Sequence, residues 1–152
     1  MKFLSPAKLN LKLKVISKRN DGYHNLETTF QLIDLFDEIT FEKSDKSFSI
    51  SCDGLEIEPE NNLIYKSLNA IKNYCEIEKG IQIHLKKVIP VGAGLGGGSS
   101  NAATTLIALN KIWGLNLSRE ELVKIGKSLG ADIPIFIYGK NAIAKGIGDV
   151  LL

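Results

Sequence analysis

Apolar and polar residues alternate near the start of the chain. The apolar positions, each separated from the next by one polar residue, are Leu9, Leu11, Leu13 and Val15. A period of two predicts a β-strand with one apolar face, and it places Lys8 and Asn10 together on the opposite, polar face. A turn signal at residues 20–22 follows this strand. Further strand-like stretches are Glu27–Ile33, Glu38–Lys43, Phe48–Cys52 and the alternating Ile81, Ile83 and Leu85, which lead to Pro90.

Helical spacing replaces this alternation later in the chain. The apolar positions that indicate three helices are Ile64, Leu68, Ile71 and Cys75, then Ala102, Leu106, Leu109 and Trp113, then Leu122, Ile125 and Leu129. Asn62 suits the start of the first helix, Ser118 with Glu121 forms a capping box at the third, and Gly130 is a natural stop. Strands followed by helices, without an internal repeat or a linker, predict a single α+β unit.

Composition narrows the class of protein. The 152 residues are 44% hydrophobic and 24% charged, with a formal net charge of +2, which favours a globular enzyme and gives no general signal for nucleic acid. Pro6 and Lys8 interrupt any apolar signal-peptide core, and no apolar run reaches the roughly 18 residues of a membrane helix. Cys52 and Cys75 form no CxxC pair, so we expect buried thiols in a reducing compartment, by default the cytoplasm. The apolar ending at residues 150–152 is typical of a cut through a longer protein.

The segment Gly92–Gly98 holds five glycines in seven residues and precedes a helix. Glycines let the backbone approach a ligand closely, and the N-terminus of the following helix favours phosphate. Ser99 and Ser100 are candidates to offer hydroxyl groups to phosphate oxygens or to Mg²⁺. A Walker A loop is excluded because no lysine follows the glycines, and a dinucleotide fold is disfavoured because no strand with an acidic end follows the helix.

The segment Pro90–Ser100 resembles the P-x-x-x-G-L-G-[GS]-[GS]-S-[SA] loop of GHMP kinases. Ser5–Leu11, the D-G-Y-H-x-L segment at Asp21–Leu26 and the G-A-D-I-P segment at Gly130–Pro134 resemble, in the same order, the family of diphosphocytidyl-methylerythritol kinases. The small residues Ala142, Ala144, Gly146 and Gly148 fit that family as well. The resemblance implies that ATP is bound by Pro90, Val91, Gly92, Ala93, Gly94, Leu95, Gly96, Gly97, Gly98, Ser99 and Ser100.

The same resemblance implies a fold and a reaction. The fold is the α+β N-terminal domain of GHMP kinases, related to the second domain of ribosomal protein S5. We expect that domain to occupy residues 1–152, with the C-terminal GHMP domain of the family absent from this chain. The reaction is transfer of the ATP γ-phosphate, with Mg²⁺ as the partner of ATP, to the 2-hydroxyl of 4-diphosphocytidyl-2-C-methyl-D-erythritol in isoprenoid biosynthesis. No metal-ligating side chain, nucleic acid or membrane is implied.

Individual residues acquire roles from the resemblance, each beside a simpler interpretation. Lys8 is either part of a solvated strand face or the catalytic cation, with Asn10 orienting its neighbours at the substrate. Asp132 is either a turn or cap residue or the catalytic carboxylate. Tyr23 and His24 are either loop residues packed on the core or the pair that recognises cytidine, by stacking and by bonding the base edge.

Two alternatives remain open at the level of the sequence. Another GHMP kinase, acting on homoserine, mevalonate or a sugar, would share the glycine loop but would have no base for Tyr23 and His24 to contact. A solitary S5-like domain could bind nucleic acid, although the glycine loop and the modest charge disfavour this. The segment 62–65 resembles the adenine-side segment of the family, and it is equally compatible with a helix start.

Overall fold

A long antiparallel hairpin begins the computed structural model, which describes residues 1–53 and 58–152. Strand β1 (Lys2–Lys18) pairs along its length with β2 (His24–Ser44). The predicted turn between them is confirmed, and Gly22 there has a left-handed φ of +87°, which suits glycine. The remaining elements are β3 (Phe48–Cys52), a 3₁₀ helix (Pro59–Asn61), α1 (Leu63–Cys75), β4 (Gly80–Lys86), α2 (Gly97–Trp113), α3 (Arg119–Leu129), α4 (Ile133–Tyr138), β5 (Ala142–Lys145) and β6 (Val150–Leu151).

The strands form one sheet in which β2 is shared by three neighbours. The sheet order is β3-β4-β2-β5-β6, and β1 pairs with β2 off this path. Residues 38–44 of β2 pair with β4, and residues 28–30 of β2 pair with β5. The two strand-like stretches expected at 27–33 and 38–43 are therefore one strand of 21 residues. A register shift opposite Pro6 and Ala7 leaves a bulge in β2 at residues 34 and 35, which interrupts the alternation.

The expected apolar face of β1 is wrong. The alternating apolar side chains are exposed, from 40% for Leu9 to 60% for Leu11. A second register shift makes Leu11 an extra residue, so that Asn10 pairs with Phe30 but Leu13 pairs with Thr28. Because paired residues lie on one face of a sheet, Leu13 lies on the face of Asn10 and not on that of Leu9. A strict period of two in the sequence does not reveal such an insertion.

The hydrophobic core lies between the helices and the sheet. Buried sheet residues such as Phe41 and Ile83 join buried helical residues such as Leu68 and Leu106 in one cluster. Helix α2 is the central helix, with 12 of its 17 residues buried, several of them alanine or threonine. Small side chains let neighbouring elements approach closely, so the start of α2 is held firmly in place. The α+β class is confirmed.

The predicted helix signals are confirmed in detail. Asn62 Oδ1 accepts a hydrogen bond from the Ile64 N–H at 2.7 Å. Ser118 and Glu121 form both bonds of the capping box, at 3.2 Å and 2.8 Å, and α3 ends before Gly130. Helix α4 has only six residues, too few for its periodicity to be recognised. Within residues 1–53 and 58–152, no helix is long and apolar enough to cross a membrane.

Replacing Gly126 should destabilise the contact between α3 and α4. A Cβ at this position would lie 2.6 Å from Ile133 Cγ2 and 2.9 Å from Ile137 Cδ1. Alanine is preferred over glycine in helices by about 1 kcal/mol, but overpacking a core costs about 1–3 kcal/mol. We expect Gly126→Ala to lower the free energy of unfolding, measured with urea, by about 1–2 kcal/mol. Lys124→Ala, at an exposed position of the same helix, should change it little; an unchanged Gly126→Ala protein would contradict the packing argument.

Candidate active site

The glycine loop connects β4 to α2. Gly92, Gly94 and Gly96 have φ values of +73°, +73° and +72°, in the left-handed region that favours glycine. Helix α2 begins at Gly97, earlier than the apolar spacing indicates, because the glycines before Ala102 carry no periodic signal. Its first turn is closed by the Ser100 N–H, which donates to the Gly96 carbonyl at 2.9 Å. The preceding amides have no acceptor within the helix, which makes the helix start suitable for an anion.

A cavity of about 750 Å³ lies against this loop. On one side it is lined by residues 90–98, and on the other by Cys52, Asn62, Leu63, Leu85 and Lys87, among others. Ser99 and Ser100 do not belong to this lining. The Ser100 hydroxyl is buried and accepts a hydrogen bond from Ser5 at 2.8 Å. It therefore does not reach the cavity, although the sequence made it a candidate to contact phosphate.

Lys87 and Cys52 belong to the cavity although sequence analysis gave them no role. A Cβ on Gly97 would lie only 2.8 Å from Lys87 Nζ, so this ammonium sits directly beside the start of α2. The lysine precedes the glycine loop by a few residues, which is the one signal that could have identified it. Cys52 is half-buried rather than buried, and desolvation raises the pKa of its thiol, so it forms a neutral wall at physiological pH.

Lys8 and Asp132 form an ion pair next to the loop. Lys8 is only 5% exposed, and its Nζ lies 3.1 Å from Asp132 Oδ2, donates to Asn10 Oδ1 at 2.5 Å and lies 5.0 Å from the centre of the Phe30 ring. The interpretation of Lys8 as part of a solvated face is therefore wrong. Asp132 occupies the N-cap position of α4 but makes no capping hydrogen bond, so its carboxylate is directed to a lysine and not to the helix.

The loop and the ion pair are in direct contact. The Lys8 backbone N–H donates to the Leu95 carbonyl at 2.9 Å. A Cβ on Gly96 would lie 3.0 Å from both Lys8 Cγ and Lys8 Cε, and 2.9 Å from Phe136 Cζ. A phosphate held by the loop would thus have an ammonium and a carboxylate close to it, which is an arrangement suited to phosphoryl transfer.

The turn after β5 approaches the same carboxylate. A Cβ on Gly148 would lie 3.9 Å from Asp132 Oδ1. This turn is fixed by Asp149, whose Oδ2 lies 2.6 Å from Lys127 Nζ. Burial alone would raise the pKa of the Asp149 carboxyl, but hydrogen bonds from Lys127 and from the Ile147 N–H hold that pKa below its ordinary value. The charged carboxylate therefore anchors the turn at neutral pH.

The remaining residues expected at the site lie on the hairpin. Asn10 donates to Thr28 Oγ1 at 3.0 Å and extends the polar row that starts with Lys8. Tyr23, which is 62% exposed, and His24 lie at the hairpin tip. His24 lies six positions before Phe30, the partner of Asn10, which corresponds to about 20 Å along a strand. The structure thus brings Lys8, Asn10, Asp132 and the loop together, and it holds Tyr23 and His24 at a distance from them.

Curated proteins from several bacteria are similar to this chain over most of its length. A 4-diphosphocytidyl-2-C-methyl-D-erythritol kinase from Acinetobacter baylyi is 51% identical over 149 residues, 97% of this chain and 53% of that protein. A protein of the same name from Polynucleobacter necessarius is 48% identical over 146 residues, 95% of this chain and 49% of its own. The chain spans about half the length of the curated relatives that it matches.

Solved structures of kinases superimpose on this chain. A crystal structure of a 4-(cytidine 5'-diphospho)-2C-methyl-D-erythritol kinase superimposes with a TM-score of 0.88 at 37% identity, over 100% of this chain and 54% of the other. The mevalonate kinase of Methanococcus jannaschii, 19% identical, has a TM-score of 0.74 over 100% of this chain and 55% of its own, which shows a common fold. The sequence profile of the GHMP kinases N terminal domain matches residues 62–140. Since this match covers just over half of the chain and includes both the glycine loop and Asp132, the chain belongs to the GHMP kinase family.

Proposed function

We propose that residues 1–152 form the nucleotide-binding domain of a two-domain kinase that transfers the γ-phosphate of ATP to the 2-hydroxyl of 4-diphosphocytidyl-2-C-methyl-D-erythritol. The contact of the Lys8–Asp132 pair with the glycine loop is the observation that carries this proposal. The names of the relatives, which are about half identical to this chain, support the substrate. A second domain, of about the length by which those relatives exceed this chain, would complete the substrate cleft. The free thiols suit the cytoplasm, where we place the reaction.

The cavity suits ATP. Its volume of about 750 Å³ lies in the range of small-molecule sites. The amides of Gly97 and Gly98 and the ammonium of Lys87 would hold the phosphates, and Asn62 and Leu63 would form the adenine side. Mg²⁺, when bound with ATP, would offset the charge of its phosphates. In the described ranges no group of three His, Cys, Asp or Glu side chains could hold a metal ion.

The chemistry assigned to this chain is proton transfer and charge stabilisation. Asp132 Oδ2 accepts the proton of the acceptor hydroxyl as its oxygen bonds to the γ-phosphorus and the bond to ADP breaks. Lys8, held by Asn10 and Asp132, offsets the negative charge on the reacting oxygens. The stiff β1 strand and the start of α4 fix the two groups, which is the positioning that phosphoryl transfer requires most.

Tyr23 and His24 supply the proposed specificity. A substrate with a pyrophosphate between its base and its reacting alcohol is extended, so its base would lie away from the Lys8–Asp132 pair. An exposed aromatic ring and an imidazole at the hairpin tip suit a pyrimidine. Homoserine, mevalonate and sugars have no such base.

Replacing the catalytic pair should separate chemistry from binding. We expect Asp132→Asn and Lys8→Ala each to lower the turnover of the two-domain kinase by about 10²- to 10⁴-fold, with ATP affinity little changed. Asp34→Asn and Lys12→Ala, which alter exposed groups on β2 and β1, are matched controls. Steady-state kinetics and calorimetric titration of ATP provide the two measurements. Near-normal turnover of Asp132→Asn would disprove the assignment.

Replacing the hairpin-tip pair should weaken the cytidine substrate alone. We expect Tyr23→Ala and His24→Ala each to weaken binding of the diphosphocytidyl substrate by about 1–3 kcal/mol, through loss of a stacking or a base-edge contact. ATP affinity should stay near that of the parent, and Tyr74→Ala on α1 is the aromatic control. If both variants bind the substrate normally, a kinase for a substrate without a base becomes the better interpretation.

Substitutions at two loop glycines test whether turnover depends on the position of the Lys8 side chain. Gly96→Ala adds a Cβ against Lys8 and Phe136, whereas Gly92→Ala adds one with nothing within 4 Å. Both variants bear the cost of a left-handed alanine, about 1–2 kcal/mol, but only Gly96→Ala should displace the lysine. We expect Gly96→Ala to lower turnover by at least about tenfold relative to Gly92→Ala. Equal turnover of the two variants would show that the contact is unimportant.

A further inference from the structure

The carboxylate of Asp37 is the centre of a buried polar network beside the glycine loop. Asp37 lies in β2 and is 0% exposed. Its Oδ1 accepts hydrogen bonds from the backbone N–H groups of Val88 at 2.7 Å and Ile89 at 2.8 Å. Its Oδ2 accepts hydrogen bonds from Lys87 Nζ at 2.5 Å and Asn101 Nδ2 at 2.9 Å. Four donors from two segments therefore converge on one carboxylate.

These donors lie at the two ends of the loop. Ile89 immediately precedes the loop residues 90–100, and Asn101 immediately follows them. Asn101 Nδ2 also donates to Ser5 Oγ at 3.0 Å, and Ser5 in turn donates to Ser100 Oγ at 2.8 Å. Both stems of the loop are thereby tied to the same point on β2 and, through Ser5, to β1.

The loop itself needs such an anchor. Its left-handed glycines at 92, 94 and 96 have no side chains to restrain them, and glycine loses more conformational freedom than other residues when it is ordered. Amides that are already aligned bind a phosphate more tightly than amides that must first be ordered. Burying a carboxylate costs free energy unless hydrogen bonds satisfy its oxygens. Every donor to Asp37 described above belongs either to a loop stem or to Lys87, the lysine beside Gly97.

We infer that Asp37 is a positioning residue for the nucleotide: by holding both stems of the loop and the ammonium of Lys87, it sets the loop geometry on which ATP affinity depends. The inference rests on the proposed function and adds to it a residue that does not line the ligand cavity. Asp37 acts through Lys87, Ile89 and Asn101, and it contacts none of the reacting groups described above.

The direct test is Asp37→Asn. The amide oxygen can still accept from Val88 and Ile89, but the amide nitrogen cannot accept from Lys87 and Asn101. Loss of charge-assisted bonds of this kind should weaken ATP binding by at least about tenfold in calorimetric titration. Hydrogen–deuterium exchange of amides in residues 90–100 should become faster than in the parent, while the circular dichroism spectrum stays that of a folded domain.

Two further variants separate positioning from general stability. Adding Asn101→Asp to Asp37→Asn exchanges the two side chains that meet at 2.9 Å, and the new amide at 37 can donate to the new carboxylate at 101. This exchange should return hydrogen–deuterium exchange of residues 90–100 to within about threefold of the parent rate, because the two positions are directly coupled. Loop exchange and not ATP affinity is the measurement for this variant, since residue 101 lines the cavity. Ile125→Val, which removes a buried methylene from α3, should lower the melting temperature without changing ATP affinity or loop exchange.

The exchange measurement decides the inference independently of nucleotide. If the parent binds no ATP, the proposed function fails, and loop exchange still tests Asp37. Parental loop exchange and parental ATP affinity in a folded Asp37→Asn protein would overturn the inference. If Asp37→Asn does not fold, Asn101→Ala keeps the Lys87–Asp37 pair and releases one stem; faster loop exchange is expected there, and parental exchange would overturn the inference in the same way.

Discussion

The pairing of β2 with three other strands is the constraint on which the arrangement of the site depends. Its hydrogen bonds to β1 place Lys8 opposite Leu32 and Asn10 opposite Phe30. Its pairing with β4 brings the exit of that strand to Asp37, and its pairing with β5 leads the chain into the turn beside Asp132. A single strand thus fixes the lysine, the stem of the loop and the approach to the carboxylate, although these parts lie far apart in the sequence.

Two lysines, the buried Lys8 and the half-buried Lys87, flank the glycine loop, and each is paired with an aspartate. Lys8 pairs with Asp132 on one side, and Lys87 pairs with Asp37 on the other. The two pairs differ in solvent access: the Asp132 side chain is 35% exposed, whereas that of Asp37 is 0% exposed. The accessible carboxylate suits contact with a substrate, and the inaccessible one suits a structural role. The different burial therefore divides the chemical and the supporting roles that we propose for them.

Local signals in the sequence predicted the helices and the class of fold well. The caps at Asn62 and Ser118 depend on residues adjacent in the chain, so the sequence alone could define them. The glycine loop was recognisable because glycine density has a local physical meaning. The contact between Lys8 and Asp132 joins residues distant in sequence, and the choice between a solvated and a buried lysine required the sheet. Nothing in the residues around Asp37 distinguishes it from a surface aspartate, since its donors come from the segment 87–89 after β4 and from α2.

The bulge at Leu11 changes which residues of the hairpin belong with the site. Up to Asn10, even-numbered residues share the face of Lys8; beyond the bulge, Leu13 and Val15 take over that face. The extra residue therefore changes the alternation. The hairpin face that carries Lys8 is polar up to Asn10 and apolar at Leu13 and Val15. Loss of one residue here would exchange the outer apolar and basic side chains between faces and leave Lys8 in place. A hairpin grafted onto this chain therefore has to preserve the number of residues between Asn10 and the tip, and not merely the alternation.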